Sequence, residues 1–216
     1  MRLDKKFLAT LLGVTESKIT SIKGLTFELD APENSITFKT LLDERRIKKF
    51  RSLATVLAAE DDLGKIVRSH NYIENELQEF IFFAAPSPTH LKFDEMEFVE
   101  KVRLALILGL NSDLKPSLSA AGKLRNRLAH RLDMKIGQDE AKTLVSTFTP
   151  PIKQRFQKRL QSTLSELPDV RRLKGEGLSY FKAQSQLMVF FLQLYDEVAK
   201  ERHRIAFEKL QNMAWH

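Results

Sequence analysis

Apolar residues return every three or four positions along most of the chain, which is the period of a helix with one buried face. The clearest stripe is Leu63, Ile66, Val67, His70, Ile73, Leu77, Phe80 and Ile81. Asp61 and Asp62 open it favourably for the helix dipole, and Pro86 and Pro88 stop it. An earlier helix is expected over residues 41–60, charged at its start and apolar by Leu53 and Leu57. Residues 95–110 form another, with Phe98, Val102, Leu104, Ala105 and Leu108, and Gly109 near its end fits a stop. Pro116 suits a first turn, so residues 118–130 read as a third core helix, and residues 138–148 as a short fourth halted by Pro150 and Pro151. Beyond them, residues 152–164 and about 178–212 read as two more, the last amphipathic through Leu187, Phe190, Phe191, Leu194, Val198, Ile205 and Leu210. An exposed stripe of that length calls for a partner surface, so this helix is a candidate dimer face.

The first forty residues differ in pattern. Residues 8–22 have the order of a helix-turn-helix: Ala9 at a close crossing, Gly13 in the turn, Thr15 as cap, and Val14, Ile19 and Ile22 burying the second helix. Residues 25–29 and 35–38 alternate around Asp30-Ala-Pro-Glu-Asn34, which reads as a hairpin. Such a module is either a small DNA reader or a structural cap on the helical body. The segment Glu16, Ser17, Lys18 is not notably basic, which favours the cap. The expected division is residues 1–40 as this module and residues 41–216 as a helical domain, with a core at 61–148 and an extension at 151–216.

Composition narrows the partners. A chain of 216 residues with 43% hydrophobic content has enough material for a buried core and is not a disordered tail. The net charge of +7 favours anionic partners, nucleic acid first, although the excess is spread along the chain. Lys153, Arg155, Lys158, Arg159, Arg171, Arg172 and Lys174 form either an RNA-holding rim or a solvated face. The absence of cysteine excludes disulfides and thiolate metal sites. No signal-peptide core precedes the first helix and no run is long enough to span a bilayer, so a cytoplasmic protein without membrane contact is expected. No Gly-rich phosphate loop, HExxH or zinc spacing occurs, and the acidic pairs are better explained as helix starts, so no metal or other cofactor is expected.

The chemistry gathers at Lys123-Leu-Arg-Asn-Arg-Leu-Ala-His130. Arg125 offers a planar fork of donors matched to phosphate oxygens, and His130 titrates near neutrality. Five residues apart, they point to different faces of an unbroken helix. They converge if His130 ends the helix, or if two copies of it meet across a dimer axis. Arg125, Arg127 and Arg131 also read as a solvated face, with His130 satisfying a helix C-terminus. His70, Asn71 and Glu74, on the first core helix, either belong to the core or point into a cleft beside Arg125.

R-N-x-x-A-H after an apolar helix, followed by a short loop and an acidic helix start, resembles the signature of the HEPN superfamily, compact helical proteins that include RNA-cutting toxins and defence nucleases. Ser69-His-Asn-Tyr-Ile73-Glu74 and Lys101-Val-Arg-Leu-Ala-Leu-Ile-Leu-Gly-Leu110 resemble segments of the HEPN-like group that includes the mannitol operon repressor relatives. The likeness runs over roughly residues 61–148, in three segments in the right order. It implies an all-α, HEPN-like antiparallel helical bundle in a homodimer whose two motifs share one cleft. It also implies a metal-independent endoribonuclease, in which the ribose 2′-hydroxyl attacks the adjacent phosphate. Arg125 would clamp the phosphate, Asn126 would orient phosphate or His130, and His130 would act as general base or acid. Arg127, Arg131, Glu74 and His70 would contact the RNA, and an antitoxin or regulatory protein is a possible partner. The alternative is a non-enzymatic regulator similar to the mannitol operon repressor relatives, binding DNA or a partner protein. The Lys101–Leu110 segment and the amino-terminal helix pair favour it. The Arg125/His130 pairing favours the enzyme.

Overall fold

A computed structural model describes residues 19–23, 26–29, 36–129, 136–165 and 174–214. Within them the fold is an all-α bundle of seven helices, preceded by a small three-stranded sheet. The helices are α1 (Phe38–Ala59), α2 (Asp62–Ala84), α3 (Phe98–Ile107), α4 (Lys115–Ala129), α5 (Gln138–Ser146), α6 (Pro150–Ser165) and α7 (Gly175–Ala214). Single 3₁₀ turns at Pro88–His90, Phe93–Glu95 and Ser112–Leu114 connect them.

Local chemistry accounts for most boundaries. The Asp61 side chain caps α2 by accepting the backbone N–H of Gly64 at 2.7 Å. At the start of α3 the Glu100 carboxylate reaches back to the N–H of Glu97 at 2.8 Å, one half of a capping box. This cap places the helix start at Phe98 rather than Glu95, which belongs to a 3₁₀ turn. Gly109 takes φ +96°, a conformation other residues rarely adopt, just after α3 ends. Pro150 and Pro151 do more than halt α5: they form the first turn of α6, where a missing N–H costs nothing. The boundary placed at residues 40 and 41 falls inside α1, which already begins at Phe38.

In the sheet, β2 (Thr26–Leu29) pairs antiparallel with β3 (Ile36–Thr37), Phe27 opposite Ile36, as the hairpin pattern requires. The preceding segment departs from expectation. Ile19–Lys23 is a strand, β1, antiparallel to β2 with Ile22 opposite Phe27, and not part of a second helix of a helix-turn-helix. The β-branched residues Ile19, Thr20 and Ile22 favour a pleated edge, and they override the three-residue spacing that suggested a helix. A DNA-reading helix within residues 8–22 therefore loses its final turn; residues 8–18 lie outside the described residues.

The centre of the bundle is α7. Every residue from Val189 to Ala199 is buried, and the helix packs on α1, α2, α5 and α6. Leu187, Phe190, Phe191, Leu194 and Val198 have no exposed surface. The stripe read as a candidate dimer face is the core of the single chain. Amphipathicity marks a face that is buried without saying what buries it.

An ionic layer runs between α7 and its neighbours. Glu76 on α2 accepts from Arg202 Nε at 3.0 Å, Lys49 Nζ at 2.8 Å and the Tyr195 hydroxyl at 3.2 Å. Asp196 accepts from Arg46 at 2.8 Å and Arg159 at 3.1 Å, and Glu197 is gripped by both Nε and Nη2 of Arg155. Arg159 also lies 4.6 Å above the Phe50 ring centroid. Two of the cations assigned to an RNA-holding rim, Arg155 and Arg159, are thus committed to inward ion pairs. Lys153, Lys158 and Lys174 remain exposed, while Arg171 and Arg172 lie outside the described residues.

Candidate functional site

Three mutually packed helices, α2, α3 and α4, build one cleft of about 510 Å³. Helix α2 contributes His70 and Glu74, which are four residues apart and so share a face. From α3 come Phe98, Val99 and Val102, and from α4 come Ser119, Gly122, Lys123, Arg125 and Asn126. The sequence left open whether His70 and Glu74 face the core or the cleft beside Arg125. They line the cleft. Asn71, between them in sequence, points to solvent and takes no part.

The imidazole of His70 is almost enclosed, with 5% of its surface exposed. Its ring lies against Phe98, centroids 4.2 Å apart and planes tilted by 45°. Phe98 also lies close to Gly122, where a Cβ would come within 3.0 Å of the ring. Glu74 Oε2 lies 3.6 Å from the His70 Nδ1, too long for a hydrogen bond. Glu74 in turn is fixed by the ammonium of Lys101, 2.5 Å from its Oε1, and that lysine is itself buried. Burial lowers the His70 pKa; Glu74 pushes it up, while Arg125 and Lys101 push it further down, for a net lowering. The imidazole is therefore neutral at neutral pH.

Arg125 and Asn126 are both exposed at the mouth of the cleft, and Arg125 Nη1 donates to Asn126 Oδ1 at 3.2 Å. Arg127 turns away. It lines a second, shallower groove with Asp139, Glu140 and Thr143, which meets the first at Lys123 and Asn126. Arg127 thus lines a groove that lacks His70 and Glu74 and holds Asp139 and Glu140. His130 and Arg131 lie outside the described residues. On either side of them, Leu128 and Ile136 are buried. The N–H of Ile136 donates to Asp62 Oδ2 at 3.1 Å, and the Tyr180 hydroxyl lies 3.4 Å from Oδ1 of the same carboxylate.

Two components escaped the sequence reading. Lys101 was legible as a cation among Val102, Leu104 and Ala105, a position that demands a buried carboxylate partner, but the partner's identity was not. At Asp62 the sequence shows only a helix start. Among the described residues, no group of three or more His, Asp or Glu side chains is placed to hold a metal ion, and no helix is long and apolar enough to cross a membrane. No protein-family model matches the chain, and neither the curated proteins nor the solved structures contain a match.

Proposed function

We propose that this chain is a metal-independent endoribonuclease of HEPN type, working as a homodimer. One observation carries the reading: Arg125 and Asn126 stand exposed at the mouth of a cleft that also holds a neutral histidine. A guanidinium in the open grips a phosphodiester through two parallel hydrogen bonds. The Asn126 amide, already bonded to Arg125, keeps the fork in one orientation. His130, five residues on, supplies proton transfer, and the net charge of +7 draws RNA toward the surface. The ribose 2′-hydroxyl then attacks the neighbouring phosphorus, giving a 2′,3′-cyclic phosphate and a free 5′-hydroxyl. DNA has no such nucleophile and survives.

Incubation of the purified protein with single-stranded RNA in EDTA tests this. Wild type cuts RNA and spares DNA, while Arg125→Ala and His130→Ala do not cut. Equal cutting by all three proteins identifies a contaminant and ends the proposal. A gel-shift with promoter DNA run beside it detects the regulator: DNA binding without RNA cleavage replaces the enzyme by that reading.

A further inference from the structure

The 2′-hydroxyl attack needs a base on one oxygen and an acid on another, and the R-N-x-x-A-H motif contributes one titratable imidazole per chain. The cleft contains a second. Buried histidines ordinarily spend their ring nitrogens on backbone or side-chain partners. His70 does not: it is 95% enclosed by its 5% exposure, lines the cleft, and makes no hydrogen bond to any described residue.

Its surroundings set its orientation. Phe98, wedged against Gly122, fixes the ring plane, and Lys101 holds Glu74 by one oxygen so that the other faces Nδ1. A carboxylate on that side favours the tautomer with hydrogen on Nδ1 and a lone pair on Nε2. At 3.6 Å the carboxylate acts on the ring through its charge and not through a hydrogen bond.

Resting on the nuclease reading above, we propose that His70 is the general base of the reaction, positioned by Glu74 and Lys101. Its Nε2 takes the proton of the ribose 2′-hydroxyl as the oxygen bonds to phosphorus. The bond from phosphorus to the 5′-oxygen breaks, and that oxygen leaves with a proton from the acid, the role left to His130. Solvent restores both imidazoles to their starting protonation. The charged groups facing His70 are Glu74 from its own helix, Lys101 from α3 and Arg125 from α4, with Glu97 and Lys123 on the rim. The two buried or phosphate-bound cations keep the imidazole neutral, which a base requires; its lowered pKa agrees.

The test uses single-stranded RNA in EDTA and, for binding, the same RNA with every 2′-hydroxyl methylated. His70→Gln is expected to slow cleavage by roughly 10²–10⁴-fold while binding the methylated RNA as wild type does. In wild type, kcat/KM falls as pH drops through the His70 pKa; in His70→Gln that limb disappears. His70→Gly regains activity with added imidazole, in proportion to its neutral form, which also shows that the variant is folded. Glu74→Gln loses rate and keeps the limb. If Arg125→Ala is dead while His70→Gln cuts as fast as wild type, or if imidazole rescues nothing in a folded His70→Gly, the assignment of His70 is wrong and the nuclease stands. If wild type does not cut RNA, both fall.

Discussion

The carboxylate of Asp62 accepts the backbone N–H of Ile136 at 3.1 Å, joining residues 74 apart in sequence. Asp62 opens α2, the helix that carries His70 and Glu74, and Ile136 lies in the connection between α4 and α5. One buried hydrogen bond thus ties the helix of the cleft wall to the chain just beyond the Arg125–His130 motif. Removing the acceptor leaves a buried N–H unsatisfied, at a cost of about 1–3 kcal/mol. Asp62→Ala should therefore lower the melting temperature, and it should reduce RNA cleavage by more than Tyr180→Phe does. Tyr180 supplies only a 3.4 Å contact to the other oxygen of Asp62. Equal effects of the two variants would show that the backbone tie is unimportant.

Gly122→Ala separates packing from stability. Alanine improves the helix by roughly 1 kcal/mol, but its Cβ meets Phe98 at 3.0 Å, and overpacking costs about 1–3 kcal/mol. The two nearly cancel, so the melting temperature changes little. The ring must still move, and His70 rests on it. Cleavage of RNA should fall although the protein stays folded; unchanged kinetics would mean that Phe98 does not set the His70 ring.

The Glu76–Arg202 pair has unequal ends. Glu76 has three partners, whereas Arg202 bonds through Nε and its two terminal nitrogens are buried with no hydrogen-bond partner. Glu76→Gln strips buried Arg202 of the nearer of its two counter-charges, Glu79 Oε2 at 3.5 Å being the other, and should cost about 3–5 kcal/mol in urea unfolding. Arg202→Met leaves Glu76 with Lys49 and Tyr195 and should cost clearly less. A reversed order would show that Arg202 carries the layer.

Acid should weaken the same layer. Burial raises the Glu76 pKa, but Arg202 and Lys49 outweigh it and hold it below the ordinary glutamate range. Asp196 is likewise pushed up by burial and, more strongly, down by Lys200 and Arg159. A depressed native pKa means that the unfolded chain binds more protons in that window. The stabilisation is complete above the ordinary carboxylate range and is lost as pH falls through the two native values. Urea midpoints measured downward from neutral pH should drop across that window for wild type, with a shallower slope for Glu76→Gln.

Arg159 distinguishes a structural cation from an RNA contact. It bonds Asp196 and the carbonyl of Leu192 and covers Phe50. Arg159→Ala should lose about 1–3 kcal/mol of stability with little change in RNA affinity. Lys158→Ala, at an exposed position on the same helix, should do the reverse to a small extent. An Arg159→Ala variant with normal stability and weakened RNA binding would return this arginine to the rim.

The sequence by itself placed the helices of the bundle, most of their ends and the hairpin, though not the strand at Ile19–Lys23, because each rests on neighbours a few residues apart: Asp61 capping α2, Gly109 ending α3, Pro150 opening α6, Phe27 facing Ile36. It also singled out Arg125 and Asn126 and left His70 and Glu74 as candidates. Only the tertiary structure decided which faces meet. It turned the stripe of α7 inward, spent Arg155 and Arg159 on Glu197 and Asp196, sent Arg127 to a separate groove, and set His70 and Glu74 in one cleft with Arg125. Periodicity records that a face is buried, and charge records that a partner is needed. Neither names the partner, because that choice is made by helices packing across distances in sequence that no local pattern spans.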